Sequence, residues 1–201
     1  TVMEYLHIIL KLMKKTLKEC NLQKHIPGKK WQLKLWKPMH KALNNLSIAL
    51  VYDRVNTPYG GAEVVLLALS KLFNNAPIYT SLYHSQKAGW AKKLKIIPSF
   101  LQKIPFLQDK HQLLLPLMPL AFESLDLSAY DIIISVTSAE AKGILTKPDQ
   151  LHLCYLLTPP RYLYSHASIY QNSKWYLQLP LISHLFRLVI SYIRSWDQSA
   201  S

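Results

Sequence analysis

Between residues 48 and 157 the chain alternates short continuous apolar runs with stretches whose apolar positions recur every three or four residues. The runs are residues 48–52, 77–83, 131–136 and 151–157. A run without polar alternation predicts a strand buried on both faces, as in a parallel sheet. Between the first two runs, Val65, Leu66, Leu69 and Leu72 fall on one side of a helix predicted over residues 62–73. Residues 139–144 predict a short helix or turn between the last two strands. Strands that alternate with helices and loops define an α/β fold with a mainly parallel sheet.

The two flanks have a different texture. In residues 2–19, Val2, Leu6, Ile9, Leu10, Met13 and Leu17 line one side of a helix, and His7, Lys11, Lys14, Lys15 and Lys18 line the other. Pro27-Gly28 ends this helix at the latest. Trp31 and Trp36 then stand among Lys29, Lys30, Lys34 and Lys37. Two readings of this arm stand side by side: a solvated helix packed on the domain, or an interfacial anchor with rings at headgroup depth and ammonium groups on anionic phosphates. Beyond Pro180 a second helix carries a narrow polar stripe, His184, Arg187, Ser191 and Arg194, amid eight aliphatic or aromatic residues. Most of it is expected to be covered by the domain core, by a further domain or by lipid. It reaches Ser201 without a stop signal, which predicts a chain that continues. The expected organisation is a basic helical extension, residues 1–46, followed by one α/β domain, residues 47–201.

Charge changes the picture mainly for the arm. The chain carries a net +13, and residues 1–46 hold ten Lys against two acids, a balance of +8. A partner inferred from charge, an anionic membrane surface met by residues 1–46 and 181–196, belongs chiefly to that arm. Lys without Arg offers no bidentate base reading, so no nucleic-acid partner is expected. Cys20 and Cys154 are far apart, and the eight His show no ligand spacing, so neither a disulfide framework nor a metal site is predicted. A reducing compartment follows. No stretch reaches about 18 uncharged apolar residues, so no spanning helix is expected. Lys11, Lys14 and Lys15 interrupt what would be the apolar core of a signal peptide. The expected location is the cytoplasm, with peripheral attachment at the inner face of the cell membrane.

The most informative local feature is the one Gly pair in the chain, Gly60-Gly61, at the junction of the first strand and first helix. Without Cβ atoms, the pair lets a phosphate or sugar approach the backbone, and the helix aims its unpaired N–H groups at that spot. A plain structural turn is the competing reading. Neither G-x-G-x-x-G nor G-x-x-x-x-G-K-[ST] occurs, which counts against a dinucleotide fingerprint and a P-loop; without G-x-S-x-G, a serine hydrolase is disfavoured as well.

Several blocks carry a resemblance. Ile48-Ala-Leu-Val-Tyr-Asp53, Tyr59-Gly-Gly-Ala-Glu63 and Ala76-Pro-Ile-Tyr-Thr80 are followed by the run from Leu113 to Glu123, by Asp126-Leu-Ser-Ala-Tyr-Asp131 and by Ala141-Lys-Gly143. Thr158-Pro-Pro-Arg161-Tyr162 and Tyr192-Ile-Arg-Ser-Trp196-Asp197 complete the set. In this order they resemble bacterial family 4 retaining glycosyltransferases, mannosyltransferase-like members above all. The resemblance implies the N-terminal, Rossmann-like half of a GT-B fold, with the C-terminal half missing from these residues. It further implies transfer of a mannose-like hexose from a nucleotide sugar to a glycan or lipid-linked acceptor, without a further cofactor. Gly60, Gly61 and Glu63 would face the donor diphosphate and sugar; Tyr59, Ser138, Lys142, Arg161 and Tyr162 would lie on the acceptor side. No catalytic residue is assigned. Two departures stand out: Ser138 and Leu157 replace His residues frequent in the family, removing groups that hydrogen-bond sugar hydroxyls or shuttle protons. The alternative function is a membrane-associated glycan-binding module without turnover.

Overall fold

A computed structural model describes residues 46–73, 76–104, 111–158, 163–164 and 180–200. Residues 1–45 of the basic extension, with the membrane contact expected of them, therefore lie outside the described residues, as do Arg161 and Tyr162. The fold is α/β and Rossmann-like. Five parallel strands, β1 (Ile48–Tyr52), β2 (Ile78–Thr80), β3 (Ile96–Pro98), β4 (Ile132–Thr137) and β5 (Leu151–Leu156), form one sheet in the order β3-β2-β1-β4-β5. Helices α1 (Gly61–Leu72), α2 (Met118–Glu123) and α3 (Pro180–Ser199) accompany it.

The strand pleat sends alternate residues to two cores. Leu50, Tyr52, Ile132, Ile134 and Val136 pack with Leu66 and Leu69 of α1 on one face. Ala49, Val51 and Ile133 pack with Phe122 of α2, Leu127, Ala141 and Ile144 on the other. Covered faces explain why β1 and β4 read as unbroken apolar runs; all six residues of β4 are buried. The expectation that residues 151–157 form an equally buried strand is corrected. β5 is the last strand of the sheet among the described residues, and Cys154 and Leu156 are exposed. β3 and α2 were not marked by any periodicity: one has three residues, and the other carries Pro119 in a six-residue helix.

Helix α3 docks by its C-terminal half. Ile190 and Ile193 are buried with Leu163, and Phe186 and Val189 pack against them. The Trp196 indole donates to Glu123 Oε1 at 2.6 Å, and its ring lies over Gly143, in the 3-10 turn Glu140–Gly143 that follows β4. Lys142 Nζ meets Asp197 Oδ1 at 3.0 Å, and Tyr164 donates to the other Asp197 oxygen. That bond holds the Tyr164 phenol proton, pushing its pKa up to about 12. The domain core covers only part of α3: Leu185, Leu188 and Tyr192 are at least half exposed.

A Cβ on Gly143 would stand 2.1 Å from the Trp196 ring. Gly143→Ala therefore costs about 1–3 kcal/mol by overpacking, read as a lower urea midpoint, whereas Gly89→Ala, with open space around its Cβ, stays close to the parent.

His152 Nε2 lies 2.8 Å from Ser135 Oγ across the β4–β5 pair, and burial holds its imidazole pKa below the ordinary value of 6.5. The unfolded chain then protonates His152 first as pH falls. Stability is unaffected by this group above the ordinary imidazole range and declines as pH drops through and below it. Thermal unfolding between pH 8 and 5 should show that decline, and His152→Gln should flatten it.

Candidate functional site

The sheet order creates one place where successive connections diverge. From β1 the chain turns toward β2, and from β4 it turns toward β5, although β1 and β4 are direct neighbours with Tyr52 opposite Val136. In open α/β sheets, ligands bind at the carboxyl ends of strands where the order reverses in this way. Asp53 follows β1 at this point. It is buried, and its carboxylate accepts four hydrogen bonds from the end of β4 and the loop beyond it. Thr137 Oγ1 at 2.6 Å and Ala141 N–H at 2.9 Å reach Oδ1, and Ser138 N–H at 2.7 Å and Ala139 N–H at 3.2 Å reach Oδ2. A buried carboxylate requires this degree of pairing. Its own carbonyl accepts from Ser81 N–H, Ser81 Oγ and Thr80 Oγ1 at the end of β2. One residue thus joins the ends of β2, β1 and β4.

A second carboxylate shapes the loop that carries the Gly pair. Glu63, buried in the first turn of α1, accepts from Tyr52 Oη at 2.8 Å, Thr57 Oγ1 at 2.9 Å and Gly60 N–H at 3.0 Å. The last is half of a capping-box arrangement, with Gly60 as the residue that caps α1. Burial, and then the bond to Glu63, push the Tyr52 phenol far above its usual range, so it stays a donor. Gly60 has extended backbone and close quarters: a Cβ there would meet Glu63 Oε2 at 3.0 Å. Gly61 differs. A Cβ on it would meet nothing within 4 Å, and its φ lies outside the left-handed region. Gly60, Gly61 and the half-exposed Tyr59 line the same exposed loop at the head of α1. Glu63 sits behind them with both carboxylate oxygens engaged by the protein.

On the β4 side, the backbone of Ser138 faces Asp53, whereas Lys142 turns to Asp197 and is buried with it. Leu157 continues the β5 ladder by donating to the Thr137 carbonyl. The switch point also holds a pair that sequence reasoning missed: Arg54, beside Asp53, meets the buried Glu140 with Nη2 and Oε2 3.4 Å apart. Asp53 entered the sequence reading only as the last residue of the block Ile48–Asp53, with no role assigned to it. The available signal was an Asp-Arg dipeptide closing an uninterrupted apolar run, which places two charges at the carboxyl end of a central strand.

Fold and site together define a Rossmann-like domain with an exposed glycine loop at its switch point. No family model, curated protein or solved structure matches the chain. Among the described residues no helix is long and apolar enough to cross a membrane.

The Asp53 cap gives a direct prediction. Asp53→Asn turns an amide NH2 toward N–H or O–H donors, leaving at least one of them unpaired in the interior. The expected loss is about 1–3 kcal/mol, measured by urea unfolding. Near-UV circular dichroism of the folded variant reports whether the sheet core is retained.

Proposed function

We propose that the chain is the acceptor-side half of a retaining glycosyltransferase that moves a hexose from a nucleotide sugar to a glycan or lipid-linked acceptor. The observation that carries this reading is Gly61: it opens a 12-residue helix at the switch point, and a Cβ placed on it would meet nothing within 4 Å. A diphosphate or sugar hydroxyl placed there meets the first N–H groups of α1 and the positive end of its dipole. The block-by-block resemblance to family 4 enzymes supports the same reading.

In this mechanism the domain supplies position and charge, and no protein nucleophile is needed. The leaving diphosphate assists attack of the acceptor hydroxyl on the face it departs from, takes up the proton and leaves with the bonding electrons of the anomeric carbon–oxygen bond. The loop Tyr59–Gly61 forms the wall against which donor and acceptor are aligned. A second α/β domain in a longer protein grips the nucleotide and closes the cleft against water.

Residues 1–201 incubated with nucleotide sugars and lipid-linked acceptors should give no transfer product, whereas a longer protein containing the second domain should turn over. In that longer protein Gly61→Val should leave the melting temperature nearly unchanged and reduce kcat/KM by about tenfold or more, as loss of roughly 1.4 kcal/mol or more of transition-state binding requires. Catalytic turnover by residues 1–201, or full activity in a folded Gly61→Val enzyme, contradicts the proposal.

A further inference from the structure

We infer that Arg54, held in place by Glu140, is an anion-recognition residue of the switch point that takes a phosphate or diphosphate group. The backbone on both sides of Arg54 is fixed. Asp53 is bound through its carbonyl to Thr80 and Ser81, while Val55 donates to the Leu82 carbonyl and accepts from His84 N–H. The side chain therefore leaves a rigid ledge at the carboxyl end of β1. Glu140, only 2% exposed, faces the guanidinium from the opposite loop with Oε2 3.4 Å from Nη2, and the Arg54 side chain remains 17% exposed. A planar guanidinium so placed suits the oxygen geometry of a phosphate better than an ammonium does.

The other charges nearby are committed elsewhere. The amides of Ser138, Ala139 and Ala141 cap Asp53, which fills with a side-chain carboxylate the concavity that an anion would otherwise enter. Among the described residues on the loops leaving β1 and β4, the remaining cations are Lys142 and Lys147. Lys142 is paired with Asp197. Lys147 acts on Asp126 and donates its N–H to Gln150 just ahead of β5, away from the carboxyl ends of the strands. Among the described residues of these two loops, Arg54 is the cation at the carboxyl ends of the strands whose side chain stays partly exposed, and its loop leads on to Gly61. The anion's carrier rests on the glycosyl-transfer reading: either the diphosphate of a nucleotide sugar or the phosphate of a lipid-linked acceptor.

The test is calorimetric titration of the whole chain with inorganic diphosphate, then with a nucleoside diphosphate and a short-chain polyprenyl phosphate. Arg54→Gln alone leaves Glu140 buried without its cation, so the paired substitution Arg54→Gln with Glu140→Gln serves as the folded comparison, checked by thermal unfolding. Diphosphate affinity should fall about tenfold or more in the pair, the loss of a charged hydrogen bond. The carrier bound more tightly than inorganic diphosphate identifies the source. Arg54-dependent binding without a gain from either carrier keeps this inference and counts against glycosyl transfer. Unchanged affinity in the folded pair, or no diphosphate binding by the parent chain, overturns it.

Discussion

The structure depends most on the buried carboxylate of Asp53. Burying a charge is costly, and the cost is offset here by four donors, three of them backbone amides. Those donors lie 84 to 88 residues further along the chain, so the bond set is long-range and ties the loop after β4 to the end of β1. The Asp53 carbonyl adds the end of β2. Everything placed on these loops, the Gly pair on one side and Ser138 to Gly143 on the other, is located relative to this one residue.

The same device appears a few residues later. Glu63 uses its carboxylate to bind Tyr52, Thr57 and the Gly60 amide, so the loop before α1 is shaped from within rather than by a ligand. Internal anions consume the amides that would otherwise attract external ones. Among the described residues at the switch point, the space beside Gly61 at the head of α1 is open, and the Arg54 side chain is partly exposed next to Glu140. From the opposite side, Trp196 over Gly143 and the Lys142–Asp197 pair brace the β4 loop against α3. The β4 loop is thus held by a strand end on one flank and a helix on the other.

How much of this could be read in the sequence follows from the range of each interaction. β1 spans the residues its apolar run marks, and α1 begins at Gly61, because strand burial and helix periodicity are written in neighbouring positions. β5 was misread as fully buried: a run such as Leu-His-Leu-Cys-Tyr-Leu does not say whether another strand lies beside it. The Gly pair announced itself by composition, whereas its difference in surroundings, crowded at Gly60 and open at Gly61, arises from the fold of Glu63 back onto the loop. Asp53 and Arg54 were visible as charges but not as a site, since their partners Thr137 to Ala141 come from a distant strand. Lys142, a candidate ligand contact by residue type, finds Asp197 through the docking of α3, which no local pattern encodes.

Amide hydrogen exchange on the chain as it stands tests the central claim most directly. Loop amides after a strand normally exchange near the solvent-limited rate, and structural protection requires a hydrogen bond that must open first. If Asp53 organises the switch point, the Ser138, Ala139 and Ala141 amides are protected to a degree comparable with those of β4. Rapid exchange at all three, with β4 itself protected, would contradict the account.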